Sequence, residues 1–302
     1  MGRRVSVRRV VERAADGRLL LGDVVGDLAG LDAQTAVVET REGLVEVPVA
    51  HVTVARLVPA ATADELTLDA IAAAGWRPAE QVELGGWLLR ADPGGTRRAN
   101  SVLPLRPPGR PLDEALAAAT EWYAERGRPL RLQVSVEARR LLDAELRERG
   151  WPAEGRTRIY AARLDALRLP VGAESVELAA APGDGWAGLY RGGSTAPTRE
   201  LLTRHDQAVF AAVHDGDEVV GVGRGVVDSG WLGVSAVEVA PTHRRRGVAT
   251  ALLAALRDWG VERGAARSYL QVEVDNEAAI PLYERAGYWA HHEYHYLGAP
   301  AS

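Results

Sequence analysis

Cysteine and lysine are both missing from these 302 residues. Without a thiol there is no disulfide, no thiolate metal site and no cysteine nucleophile. Without lysine there is no amine base, no Schiff base and no acetylation of the chain's own lysines. All 36 basic residues are arginine, a bias most simply ascribed to coding. Long apolar runs are missing too: none approaches the roughly 18 residues of a membrane helix. The N-terminus has no signal-peptide h-region, so the expected location is the cytoplasm. "MGRRVS" fits a myristoylation pattern, yet it reads equally as the start of a strand. A positive balance is absent as well. At a net charge of −5 the molecule has no electrostatic reason to seek nucleic acid. The composition that remains, 47% hydrophobic and 25% charged, suits soluble domains, two or three at this length.

Residues 1–58 read as all-β. "VSVRRVV", "LLLGDVV", "TAVVET", "LVEVPV" and "VTVARLV" are short and β-branched, with "ADGR" and "REG" as turns. Five such strands suggest a small barrel similar to SH3-like barrels. Arg3, Arg4, Arg8, Arg9 and Arg13 could form a nucleic-acid patch. The segment nevertheless holds eight arginines and eight acids, so a solvated face is expected instead. "VPAATADEL" then reads as a linker.

An internal repeat follows. "ALAAATEWYAERGRPLRLQVSVEA" from Ala115 lies against "ALLAALRDWGVERGAARSYLQVEV" from Ala251. Trp122 falls on Trp259 and Gly127 on Gly264, each 137 residues apart. "VLP" at 102–104 falls on "VAP" at 239–241, and "RERGW" at 147–151 on "ERAGY" at 284–288, at the same offset. We therefore expect two copies of one α/β unit, joined at "LRLPVGAES", with boundaries at 1–58, 59–170 and 171–302.

In the second copy an apolar strand, "WLGVSAVEV", is stopped by Pro241. Val248, Leu252, Leu256 and Trp259 then recur at helical spacing. Between them lies a loop with Arg244, Arg245, Arg246 and Gly247. Cations are disfavoured at a helix N-terminus unless an anion sits among them. The free N–H groups there suit phosphate, and arginine adds charge-assisted bonds to it. A solvated basic turn is the other reading of the same residues.

Arg244-x-x-Gly247-x-Ala249 matches the [R/Q]-x-x-G-x-[G/A] signature of the GNAT N-acetyltransferase superfamily. "VEVAP" before it resembles the end of that family's fourth strand. "VEVDNEAAIPLYERAGY" resembles its fifth strand and following helix, with Asn276, Tyr283 and Gly287-Tyr288 in place. The resemblance covers 175–297 well and reaches 60–168 only through the repeat. It implies an α/β chain with a mixed central sheet: two tandem GNAT-like units, the second catalytic, after the SH3-like barrel. It implies acetyl-CoA as co-substrate and a primary amine, small molecule or protein, as acceptor. The backbone of Arg244, Arg245, Arg246, Gly247, Val248, Ala249 and Thr250 would hold the pyrophosphate. Val237 and Val239 would pair with the pantetheine arm, and an N–H near Val239 would stabilise the oxyanion. Asn276 would bond the cofactor, and Tyr283 would be the general acid. Asn276 can also be read as a helix N-cap, and Tyr283 as a core aromatic.

Glu238 is the first candidate base, Glu273 the second, and a water relay the third. If Val237 and Val239 face the core, alternation turns Glu238 the other way, toward cleft or solvent. "HHEYH" at 291–295 resembles a metal cluster in composition only. In a strand His292 faces away from His291, Glu293 and His295, so an edge or closing strand and no metal are expected.

The first copy looks silent. With one residue of slip "RPPGRP" at 106–111 lies over "RRRGVA", which puts Pro107, Pro108 and Pro111 where N–H groups are needed. Leu146 stands at the Tyr283 position. The expected activity is amine acetylation by direct attack in a ternary complex. The alternatives are a catalytically silent acyl-CoA sensor, and nucleic-acid binding marked by steep salt dependence.

Overall fold

The computed structural model describes residues 4–13, 19–40, 43–57, 62–170 and 175–300. The "ADGR" turn, two residues of "REG", the first part of the expected linker and the "VGAE" of the "LRLPVGAES" join lie outside the described residues. So do residues 1–3 of "MGRRVS", Arg3 of the arginine patch among them.

Five strands form the N-terminal unit: β1 (Arg4–Arg13), β2 (Leu19–Leu31), β3 (Thr35–Thr40), β4 (Gly43–Pro48) and β5 (Val52–Leu57). A single 3-10 turn, Val49–His51, joins the last two. The strands pair antiparallel in the order β4-β3-β2-β1-β5 around Val5, Val7, Val24, Val38 and Val47. The all-β expectation is met. The sheet is open, however: β4 and β5 are its two edges, and no pairing closes it among the described residues. Two of the arginines weighed as a nucleic-acid patch are engaged within the unit. Arg8 makes a two-pronged ion pair with Asp23, and Arg9 donates to the Glu46 carbonyl.

Helix α1 (Thr62–Ala74) begins inside the stretch expected to be a linker. Asp64 and Glu65 in its first turn complement the helix dipole, a signal that "TADEL" carried. Next come β6 (Glu80–Leu84), β7 (Trp87–Ala91), β8 (Leu103–Pro104), α2 (Leu112–Ala124), β9 (Arg131–Ser135), α3 (Arg140–Glu148) and β10 (Ala153–Arg163). The second copy runs β11 (Val176–Ala179), α4 (Asp184–Leu189), α5 (Ala196–Thr203), β12 (Ala208–Asp215), β13 (Glu218–Asp228), β14 (Trp231–Val239), α6 (Val248–Glu262), β15 (Arg267–Glu273), α7 (Ile280–Ala286) and β16 (Trp289–Gly298). The apolar stripe of α6 (Val248, Leu252, Leu256 and Trp259) is buried against this sheet, as its spacing predicts. Gly221 lets α6 approach closely, since a Cβ there would sit 2.4 Å from Val248 Cγ1.

The two copies share one mixed, eight-stranded sheet, in the order β11-β12-β13-β14-β15-β10-β16-β9. Each copy's last strand is inserted next to the other copy. β10 of the first pairs antiparallel with β15 of the second, and β16 of the second with β9 of the first. Between them β10 and β16 pair with each other, Thr157 opposite Tyr294. Those two residues are themselves 137 apart, the offset of the repeat, so they mark a local two-fold axis. The cores are exchanged accordingly. Tyr160, Ala162 and Leu164 pack with the second copy's core, while Leu297 packs with the first copy's. Leu167 and Leu169, at the start of the expected join, are docked in the second core as well. Helix α1 covers the crossover through Leu68 and Ala72 against Ile159, Tyr294 and Tyr296.

Within "HHEYH" the strand expectation holds, but β16 is interior rather than an edge. His292 meets buried Asp69, His295 meets Asp143, and Glu293 pairs with Arg156 and Arg158. No group of three or more metal-ligating side chains is assembled among the described residues, and no helix there is long and apolar enough to cross a membrane.

Candidate active site

The site begins with a gap in the sheet. β14 and β15 run parallel and paired only from Trp231 opposite Arg267 to Val234 opposite Leu270. Just past that point β14 carries a bulge. Ala236 takes φ +54, and Ala236 and Val237 together stand opposite Gly223. A bulge bends its strand and re-aims the side chains beyond it. From Ser235 to Val239 the strand stays bonded to β13 but has no partner on the β15 side. Unpaired backbone in a protein interior invites a partner. A cavity of about 590 Å3 fills this gap.

The gap leads to the loop before α6. Arg245 (φ +64) and Gly247 (φ +90) are both left-handed, which turns the chain tightly into the helix. Glycine takes that conformation freely, whereas an arginine pays roughly 1–2 kcal/mol for it. The N–H groups of Arg245 through Thr250 have no acceptor among the described residues. Arg244 bonds the Val239 carbonyl at 3.3 Å. Arg244, Arg245 and Arg246 are exposed and find no carboxylate among the described residues. Three cations at the positive end of a helix dipole, beside free N–H groups, form a site for an anion such as phosphate.

Of the residues singled out from sequence, Val237, Glu238, Val239, Arg244, Ala249, Asn276 and Tyr283 line the one cavity. Arg245, Arg246, Gly247, Val248 and Thr250 belong to the adjoining loop and helix start and do not line it, Val248 being buried against the sheet. Val237 and Val239 pack against the core beside α6. Glu238 turns away from that core, yet it still lines the cavity, and its Oε2 accepts the Arg191 N–H at 2.8 Å. Glu273 also lines the cavity but is paired with Arg97 at 2.8 Å. Asn276 Oδ1 accepts the Ala279 N–H at 3.2 Å, so it caps the turn before α7 while facing the cavity. Tyr283 is 8% exposed, packs edge-on to Tyr288, and has no hydrogen-bond partner for its hydroxyl among the described residues. Burial pushes its phenol up to about 12.

Sequence reasoning missed the far wall: Trp76, Arg98, Tyr190, Arg191, Arg224 and Tyr269. Trp76 and Arg98 come from the first copy. Arg224 carried a legible signal, a lone charge inside the apolar strand "VVGVGRGVV".

The first copy also has a cavity at the corresponding place, of about 470 Å3, lined by Trp87, Pro104, Pro107, Pro108 and Arg139, but its lining differs. Arg139, 137 residues before Asn276, donates to the carbonyls of Pro104 and Leu105 at the end of β8. Gly109 keeps the left-handed turn at φ +73, but Pro111 stands at the start of α2. Leu146 is fully buried where the second copy has Tyr283.

Comparison with known proteins matches residues 62–297 to a family described as "Probable histone acetyltransferase Rv0428c C-terminal". The protein of that name from Mycobacterium tuberculosis is 32% identical over 311 residues, covering 99% of this chain and 95% of its own. A GCN5-related N-acetyltransferase from Kribbella flavida superposes with a TM-score of 0.63 at 20% identity, over 78% of this chain and 96% of that one. A tandem GNAT protein from the clavulanic acid biosynthesis pathway does so at 0.53 and 15% identity, over 81% and 91%. At such identities the two structures speak for the fold.

Proposed function

The chain belongs to the Rv0428c C-terminal family of the GNAT superfamily and is an acyltransferase, and from that premise we propose that it transfers acetyl from acetyl-CoA to a primary amine. The observation that carries this reading is the gap between β14 and β15, whose cavity reaches Arg244 and Ala249 of the N–H-lined loop at 244–250. Acetyl-CoA supplies an activated acyl group as a thioester. The free edge of Val237 and Val239 suits its extended pantetheine arm as one more strand, and the loop suits its pyrophosphate. A backbone N–H near Val239 stabilises the negative charge that develops on the carbonyl oxygen. Losing such a donor typically costs about 3 kcal/mol.

The acceptor arrives as an ammonium and must first lose a proton, for which Glu238 is placed on the cavity wall. Its nitrogen then bonds to the acyl carbon and the C–S bond breaks. The second nitrogen proton is lost as the amide forms, and Tyr283, still protonated, gives its proton to the departing sulfur. The net products are an amide, a free thiol and one proton. We read residues 59–170 as a degenerate copy and 171–302 as the catalytic one, on Pro111 at the helix start, on Arg139 against the end of β8 and on Leu146. We read 1–58 as SH3-like from its five-strand order and the 3-10 turn before the fifth strand.

Thermal unfolding with and without acetyl-CoA tests the reading, on wild type and on Gly247→Pro. Proline cannot adopt φ +90 and has no N–H. At about 100 times its Kd the ligand adds roughly 2.7 kcal/mol of stability. The expected outcome is a rise in wild type that disappears in a folded variant. No rise in wild type overturns the reading.

A further inference from the structure

The cavity walls hold more positive charge than they neutralise. Arg224 is 1% exposed. It gives Nε to the Leu202 carbonyl at 2.9 Å and both terminal nitrogens to the Gly75 carbonyl at 3.1 Å. A guanidinium has five N–H donors, so two remain, and no carboxylate pairs with it among the described residues. Burial lowers its pKa to about 10, which leaves it charged at neutral pH. Arg98 enters from the first copy. Its Nε donates to the Tyr294 hydroxyl at 3.2 Å, and it too has no carboxylate among the described residues. The two guanidinium carbons lie 5.3 and 5.9 Å from the Trp76 ring centroid. Arg191 adds a third charge on the cavity wall, with its backbone held at φ +54 while its N–H binds Glu238.

The two carboxylates in the cavity do not answer these charges. Glu273 is taken by Arg97, and Glu238 by the Arg191 N–H. A buried cation without an anion is costly, and a planar carboxylate meets a guanidinium with two parallel bonds. Register supplies the spacing. Glu238 lies opposite Val222 across the β13–β14 ladder, and Arg224 is two residues further along β13. Residues two apart share a face, about 7 Å from each other along the strand. Arg224 and Glu238 therefore look onto the same side of the sheet.

Building on the acyl-transfer reading, we propose that the acceptor is a small amine that also carries a carboxylate, held by Arg98 and Arg224 while Glu238 faces its ammonium. A strongly basic peptide would set its own cations against the three arginines and is a poor fit for this wall.

The test measures thiol release from acetyl-CoA by the full chain over matched acceptors: lysine with cadaverine, phenylalanine with phenethylamine, and a lysine- and arginine-rich peptide. The carboxylate-bearing member of a pair is expected to show at least tenfold higher kcat/KM. Arg98→Gln is expected to raise its KM at least tenfold and to erase the preference, with the KM for acetyl-CoA unchanged. Arg224→Gln is expected to do the same, but it removes a buried side chain, so Arg98→Gln decides if that variant does not fold. A decarboxylated amine or the peptide performing equally well or better overturns the proposal and leaves acyl transfer standing. If no acceptor releases thiol, the same pairs are compared by thermal stabilisation in the presence of CoA. There a carboxylate-dependent shift lost in Arg98→Gln supports the proposal, and its absence overturns it. Failure of acetyl-CoA itself to stabilise the protein instead strikes the acyl-transfer reading.

Discussion

Tyr283 can only give a proton at working pH, because burial holds its phenol near 12 and no neighbour draws the proton away. Tyr283 lines the cavity and its hydroxyl has no protein partner among the described residues, so it is free to meet a leaving group. Tyr283→Phe is expected to lower kcat by about 10²–10⁴-fold, the usual span for a general acid. The KM for acetyl-CoA should stay within a few-fold. Steady-state thiol release checks both, and an unchanged kcat would return Tyr283 to the role of a core aromatic. Residues of this kind were legible through short-range spacing: Arg244, Gly247, Asn276 and Tyr283 all fall within one continuous stretch. Arg98 and Arg191 were not, and Arg224 showed only as a lone charge in an apolar strand. They are scattered over 127 positions, and only the packing of the 3-10 turns Arg97–Ala99 and Tyr190–Gly192 and of β13 around one gap brings them together.

At the scale of elements, the cleft depends on one strand leaving its neighbour. β14 bends at Ala236, a residue whose type gives no hint of a left-handed backbone, so the bulge was invisible in sequence. The two copies line their clefts differently. Where the second has Asn276, the first has Arg139 bonded to the end of its own strand. Asn276→Arg is expected to lay an arginine against the end of β14, as Arg139 lies against the end of β8, and so to obstruct the pantetheine path. It forfeits one hydrogen bond to the Ala279 N–H, a loss of about 1 kcal/mol, so the variant should stay folded. Acetyl-CoA should no longer stabilise it, as thermal unfolding would show. Undiminished stabilisation would mean that an arginine at this position does not hinder the cofactor. The amphipathic helix α6 and the loop before it needed no such help, since spacing and a stop at Pro241 define them locally.

For the whole molecule the decisive feature is the strand exchange. Every strand bonded to β10 comes after residue 171, and every strand bonded to β16 comes before it, among the described residues. Residues 171–302 made alone would therefore lose both strands that β16 pairs with here and leave β15 with a bare edge, a surface that associates or aggregates. The expected outcome is an insoluble or self-associated fragment, rescued to a soluble one-to-one complex when 1–170 is co-expressed. Size-exclusion chromatography reads the result, and a monomeric, folded 171–302 would contradict it.

The sequence by itself determined the local grammar: the five N-terminal strands, the repeat, the helix stripes and the basic glycine loop. Each is written in periodicity and turn residues that act over a few positions. Tertiary structure alone decided which strands pair and hence what faces the cavity. β10 and β16 descend from the same pattern, so each could satisfy its backbone against its own copy's sheet or the other's. Local physics is nearly indifferent between those pairings. Packing under α1, with Leu297 in the first core and Tyr160 in the second, selects the exchanged one.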